Sequence, residues 1–184
     1  MQIRADIGAL QARLGTTTVY VTHDQSEAMT LGHRVAVLRD ATLQQFDTPR
    51  KLYSQPANTF VAEFIGSPSM NLCRLPVEHG ALAFGGVEIS VPEAVRNGHS
   101  ELIVGLRPES LSLAPDGCGA TVEVVEEIGA DTHVFCAAQI AGQDTKLVAR
   151  VPTNEAPSQG ERVHLRPTGG DVHFFDPESG SRLS

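Results

Sequence analysis

Val19-Tyr20-Val21-Thr22-His23-Asp24-Gln25-Ser26-Glu27-Ala28-Met29 is the stretch whose reading decides the first part of the fold. The β-branched run 16–22 reads as a compact, buried strand. Asp24, with Glu27 three residues on, opens a short helix in the manner of a capping box, and Gly32 stops it. Strand, turn and helix make an α/β pattern. It puts His23 at the carboxyl end of a strand, where open α/β sheets bind their ligands. A neutral imidazole there can exchange a hydrogen bond with a phosphate or a nucleophilic water. On spacing alone, a histidine in such a turn is more often a structural hydrogen-bonder.

Upstream, Ile3, Ile7, Leu10 and Leu14 fall on one face of a helix that Gly15 ends. Downstream, 35–38 reads as a second buried strand, and Asp40-Ala41-Thr42 as the turn into 43–46. Thr48-Pro49 opens a helix with proline at its tolerated first position. Asn58 opens another, apolar at Phe60, Val61, Phe64 and Ile65 and ended by Gly66. Ser67-Pro68-Ser69 is the best boundary in the chain, giving domains 1–66 and 67–184. Past it come short strand candidates: 72–77, 81–84, 87–91, 102–106, 120–128, 132–140, 146–151, 162–165 and 172–175. Gly85-Gly86 marks a hairpin between two of them. Strands at this spacing indicate a small barrel or sandwich.

Composition narrows the function classes. The chain has 184 residues, 41% hydrophobic and 20% charged, enough for a packed core without disulfides. Residues 1–66 are balanced, with 6 basic and 6 acidic side chains, so the whole net charge of −8 sits in 67–184. An acidic surface repels phosphates, and 5% aromatics with no Trp is too few for a base-stacking platform. Nucleic acid is therefore not an expected partner. No apolar run is long enough to span a membrane, and the first residues carry no signal-peptide pattern. Cys73, Cys118 and Cys136 form neither an even set nor a close pair, which argues for a cytosolic protein without a disulfide framework.

The run VYVTHDQSEAMTLGHRVAVL resembles the H-loop segment of ATP-binding-cassette ATPases. The resemblance continues through Leu43-Gln44-Gln45-Phe46-Asp47-Thr48-Pro49, Pro56-Ala57-Asn58-Thr59-Phe60-Val61-Ala62 and Phe64-Ile65-Gly66-Ser67-Pro68. It reaches Gly105-Leu106-Arg107-Pro108-Glu109 and Phe175-Asp176-Pro177-Glu178-Ser179-Gly180. These points are similar to the MalK-like subunits that drive import of maltose, trehalose, other oligosaccharides or sn-glycerol-3-phosphate. The resemblance implies a mainly β fold. An OB-like (TOBE) β-barrel regulatory domain, 67–184, would follow an α/β remnant of the nucleotide-binding domain, 1–66. It implies that His23 contacts the ATP γ-phosphate and helps organise the attacking water. It further implies ATP and magnesium for the intact protein, a homodimer, membrane permease subunits and a possible cytosolic regulatory protein. The place of work would be the inner face of the cell membrane. The sequence has no G-x-x-x-x-G-K-[ST] loop, no Leu-Ser-Gly-Gly-Gln signature and no apolar strand ending in Asp-Glu. Phosphoryl transfer needs that apparatus. The chain therefore reads as the C-terminal half of such an ATPase (a truncated product, a misplaced start or a fragment), expected to be inactive alone and to hold no cofactor or metal. A free-standing OB-type module for a small anion or sugar is the alternative.

The remaining candidates have plainer readings. His164 and His173 read as surface side chains rather than metal ligands, and the three cysteines as apolar fillers or exposed thiols. Arg107-Pro108-Glu109 reads as an ion pair or turn. Glu126 and Glu127 point to opposite faces of a strand, so they cannot converge on one substrate; they read as solvated, or as an acidic docking patch. Phe174-Phe175 reads as core. Without upstream sheet neighbours, 1–66 is expected to be mobile, rearranged or buried against a second copy.

Overall fold

The structure, a computed structural model, describes residues 2–96, 98–169 and 171–183, with side chains from residue 6 onward. The chain forms two compact units, 1–57 and 58–184.

In the first unit, α1 (Gln2–Leu14) ends where the Gly15 N–H bonds the Gln11 carbonyl and Gly15 turns left-handed. The run 16–22 is not a strand, contrary to the sequence reading: Val19 and Val21 are 88% and 90% exposed. A β-ladder needs a neighbour to take its N–H and C=O groups, and no described strand lies beside this run. Next come α2 (Gln25–Leu31), the antiparallel hairpin β1 (Val35–Arg39) and β2 (Thr42–Asp47), and α3 (Pro49–Ser54). Asp40 and Ala41 take positive φ at the hairpin tip, the backbone a two-residue primed turn requires. Expected to be buried, β1 buries only Val37.

The second unit opens with α4 (Thr59–Phe64), capped by the Asn58 side chain. A six-stranded antiparallel sheet runs in the order β13-β12-β6-β3-β4-β5. Its members are β3 (Asn71–Glu78), β4 (Ala81–Phe84), β5 (Val87–Ser90), β6 (Glu101–Leu106), β12 (Val172–Phe175) and β13 (Arg182–Leu183). A five-stranded sheet runs β10-β9-β8-β11-β7, from β7 (Leu111–Ala114), β8 (Cys118–Ile128), β9 (Asp131–Ile140), β10 (Gln143–Pro152) and β11 (Arg162–Pro167). A single turn of helix, α5 (Glu93–Arg96), links β5 to β6. The nine strand candidates all fall on strands, and Gly85-Gly86 makes its hairpin. Sequence reading missed β7, which is four residues long between Pro108 and Pro115, and β13, which is two residues long.

The fold is mainly β, as expected, but both sheets are open. β10 approaches β7 without bonding it. The reason lies at the edge of β10: the Asn71 amide donates to the Val148 carbonyl (2.9 Å) and accepts from the Val148 N–H (2.7 Å). It thereby takes the two backbone groups a closing strand would use. The same amide donates to the Leu106 carbonyl at 3.0 Å, so one buried side chain ties the two sheets together.

One apolar core fills the space between the sheets, with Leu75, Phe84, Val104, Val134, Cys136, Leu147 and Phe174 among its members. Phe175 points the other way, into a smaller cluster with Ala62 of α4 and Met70. Both phenylalanines are thus core, as read, on opposite faces of one strand. A Cβ at Gly105 would stand 2.5 Å from the Met70 Sδ and 2.9 Å from the Phe175 ring, so only glycine lets β6 pass under this cluster. All three cysteines are buried fillers. Burial pushes the Cys73 thiol up to about 12 and the Cys136 thiol to about 11, so neither is a nucleophile at neutral pH.

Candidate functional site: the His23 turn and the buried cations of the β-unit

His23 lies in the turn before α2 with its ring exposed. The residues around it are fastened. The Asp24 carboxylate caps α2, accepting from the Ser26 N–H (2.7 Å) and the Glu27 N–H (3.3 Å). The Asp24 N–H donates to the Thr22 hydroxyl (3.0 Å), which donates onward to Glu27 Oε2 (2.8 Å). The Tyr20 hydroxyl donates to the same oxygen at 3.0 Å. Glu27 thus ties Tyr20 and Thr22, upstream of the histidine, to the helix after it. His23 projects from a turn pinned on either side, which preorganises an exposed imidazole at small entropic cost. The N-cap reading of Asp24 holds, but the capping box is not closed by Glu27: the Asp24 N–H goes to Thr22, and the Glu27 carboxylate takes the Tyr20 and Thr22 hydroxyls; the part of Thr22 was missed, because a Thr two residues before an N-cap has no distinctive spacing signal.

In the second unit the sequence reading of two residues needs revision. Arg107 does open a turn, its carbonyl accepting from the Ser110 N–H at 2.8 Å, but its side chain does more than the turn requires. It is buried, and its guanidinium donates to the carbonyls of Ala62 (3.1 Å) and Ile65 (2.5 Å) at the end of α4. Carbonyls at a helix C-terminus lack intrahelical partners, and a cation there also meets the negative end of the helix dipole. His173 is not a surface side chain. It is buried on β12, stacked 6.4 Å from the Phe175 ring, with Nδ1 unbonded. The alternation 172–175 breaks because both faces of β12 are covered. His164 is exposed, on a different sheet. Among the described residues, no three His, Cys, Asp or Glu side chains are arranged to hold a metal.

Burial pushes His173 down to about 4; Arg182 and Arg107 add to the effect, and Asp171 opposes it. The unfolded histidine, near 6.5, therefore takes up its proton before the folded one does. Stability from this group is fully present above about pH 6.5 and is lost as pH falls towards 4, by about 3 kcal/mol in all. Urea unfolding across that window should show this slope, and His173→Leu should flatten it. An unchanged slope in the variant would refute the assignment.

Glu126 and Glu127 are both exposed, on opposite faces of β8 as expected, and converge on nothing. No helix among the described residues is long and apolar enough to cross a membrane.

Comparison with known proteins places these features. Residues 66–111 match the MalK OB fold domain, and residues 104–175 match the TOBE domain. The chain is 43% identical to the diacetylchitobiose uptake system ATP-binding protein MsiK of Streptomyces coelicolor, over 98% of this chain and 54% of that protein. It is 41% identical to the sn-glycerol-3-phosphate import ATP-binding protein UgpC of Ruegeria pomeroyi, over 100% of this chain and 52% of the relative. An ABC transporter ATP-binding protein of Sinorhizobium fredii, y4oS, is also 41% identical, over 100% and 50%. The chain spans about half the length of the curated relatives it matches. With its MalK OB fold and TOBE domains, the chain belongs to the MalK-like family of ABC-transporter ATP-binding subunits.

Proposed function

We propose that this chain is the C-terminal half of the ATPase subunit of an ABC importer for sugars or sn-glycerol-3-phosphate. Residues 1–66 supply the last part of the nucleotide-binding domain, and 67–184 form the regulatory domain. The observation that carries the reading is the VTHDQSEA run, which holds an exposed imidazole on a turn pinned by Asp24, Thr22 and Glu27. His23 contacts the γ-phosphate of ATP and orients the attacking water. In this chain it alone fits that role; the groups that cradle the phosphates and magnesium belong to motifs this sequence does not contain. The assembled subunit works as a homodimer against two membrane permease subunits at the inner face of the cell membrane, and a cytosolic regulatory protein can act on the β-unit.

Two measurements test this. The chain alone should show no saturable ATP binding by calorimetry; tight binding would defeat the division of labour. Spliced onto the N-terminal half of MsiK, the chain should restore ATP hydrolysis. In that chimera His23→Ala should lower turnover by about 10²–10³ while nucleotide binding persists. A chimera whose turnover is indifferent to His23 would overturn the role.

A further inference from the structure

We propose that Thr22 and Glu27 are the positioning residues for His23, the pair of side chains that holds the imidazole where it meets the γ-phosphate. This rests on the reading of His23 given above and names the groups that set its geometry.

His23 joins the irregular run 16–22 to α2, so its place is set by whatever holds those two segments together. Core packing does little of this, because α2 is seven residues long and buries none of them. The Thr22 hydroxyl is used twice. It accepts from the Asp24 N–H at 3.0 Å and donates to Glu27 Oε2 at 2.8 Å. A hydroxyl has one proton to give, so the acceptor at Glu27 fixes its rotation and leaves its lone pairs for the Asp24 N–H. The same Glu27 oxygen accepts from the Tyr20 hydroxyl at 3.0 Å. One carboxylate therefore holds two side chains of the incoming run, and one of them holds the backbone on the far side of the histidine.

The helix itself does not require this arrangement. Asp24 alone caps α2, taking the Ser26 and Glu27 N–H groups. Glu27 is the third residue of α2, the position from which a capping-box side chain bonds the N-cap N–H. Here Thr22 takes that N–H, and the carboxylate is directed past it to the incoming run. Both Thr22 and Glu27 are half-buried, while His23 between them is exposed. Bonds to a carboxylate are the stronger class of hydrogen bond, and half-burial shields them from competing water. The result is a rigid base under a side chain left free to meet a ligand. Displacing such a group by about 1 Å can cost about 10² in rate, so the base should be visible in turnover.

The chain alone tests the geometry. Thr22→Val keeps the branched shape and removes the hydroxyl; Glu27→Ala removes the acceptor. In both, backbone order parameters from ¹⁵N relaxation should fall across 22–27 and stay unchanged in the strands of the β-unit. Thr22→Ser should keep the parent values. In the MsiK chimera described above, each of the two damaging variants should lower kcat about tenfold or more, with the nucleotide KM within about twofold, and Thr22→Ser should retain most of the turnover. The critical reading is the coupling. With His23→Ala already in place, Glu27→Ala should cost nothing further, because it acts through the imidazole. A second full loss on top of His23→Ala would make Glu27 a structural residue only and overturn the inference. Undiminished kcat in Thr22→Val, or order parameters indifferent to both variants, would overturn it too, and each leaves the role of His23 standing. Turnover indifferent to His23→Ala overturns that role and the positioning of it together.

Discussion

Asn71→Ala is expected to cost the β-unit about 4 kcal/mol, because it leaves the Val148 N–H and C=O without their partner inside the protein. Buried backbone groups left unbonded each lose the full cost of their desolvation, and the Leu106 carbonyl loses a donor as well. At this chain length the fall in Tm should be roughly 10–15 °C. Thermal unfolding measures it, and the Val148 amide, read by hydrogen exchange, should lose protection beyond the global change. Asn71→Asp separates shape from chemistry. It keeps the volume but cannot donate to the two carbonyls, so it should be at least as damaging as alanine. If either variant unfolds within a few degrees of the parent, the amide is not the tie between the sheets.

Arg107→Met should cost about 3 kcal/mol, with the loss concentrated in α4. Methionine retains much of the apolar stem but removes both hydrogen bonds to the Ala62 and Ile65 carbonyls. The N-terminal end of α4 stays held, since the Thr59 N–H donates to the Gly180 carbonyl and Asn58 bridges to Ser181. The helix should therefore fray from its C-terminal end, exposing Phe175 and Met70. Hydrogen exchange across 58–66 should accelerate more than in the central strands. Arg107→Lys should recover only part of the loss: both bonds leave a single nitrogen, Nη1, and the shorter lysine stem sets its ammonium one bond short of that position. Uniform acceleration across the whole unit would argue against a local clamp.

Arg107 lies in a motif read from the sequence and Asn71 just ahead of a strand candidate, yet neither role was legible there. Arg107 falls within Gly105-Leu106-Arg107-Pro108-Glu109, where a charged residue beside a proline looks like a turn. Its partners lie 45 and 42 residues away, on a helix whose docking no local pattern announces. Asn71 heads a strand, a place where asparagine attracts no notice; its main partner is 77 residues on. His173 fails for the same reason: alternation along β12 assumes one wet face, and α4 with Met70 covers the second face. The run 16–22 fails in the opposite sense. Its β-branched composition is real, but a strand is a relation between two segments, and no described strand pairs with this one.

The sequence by itself determined the Gly85-Gly86 hairpin and the turn at 40–42, the mainly β second unit, the capped helices and the family. Each rests on residues close in the chain: a Gly-Gly tip, a period of two, Asp24 before Glu27, or an ordered set of motifs. Tertiary structure alone decided which polar side chains are buried and how far the sheets close. Those outcomes depend on cross-strand register and on contacts between distant segments. The physical reason is that a side chain's burial is set by what packs over it, and the covering residue carries no mark in the neighbouring sequence.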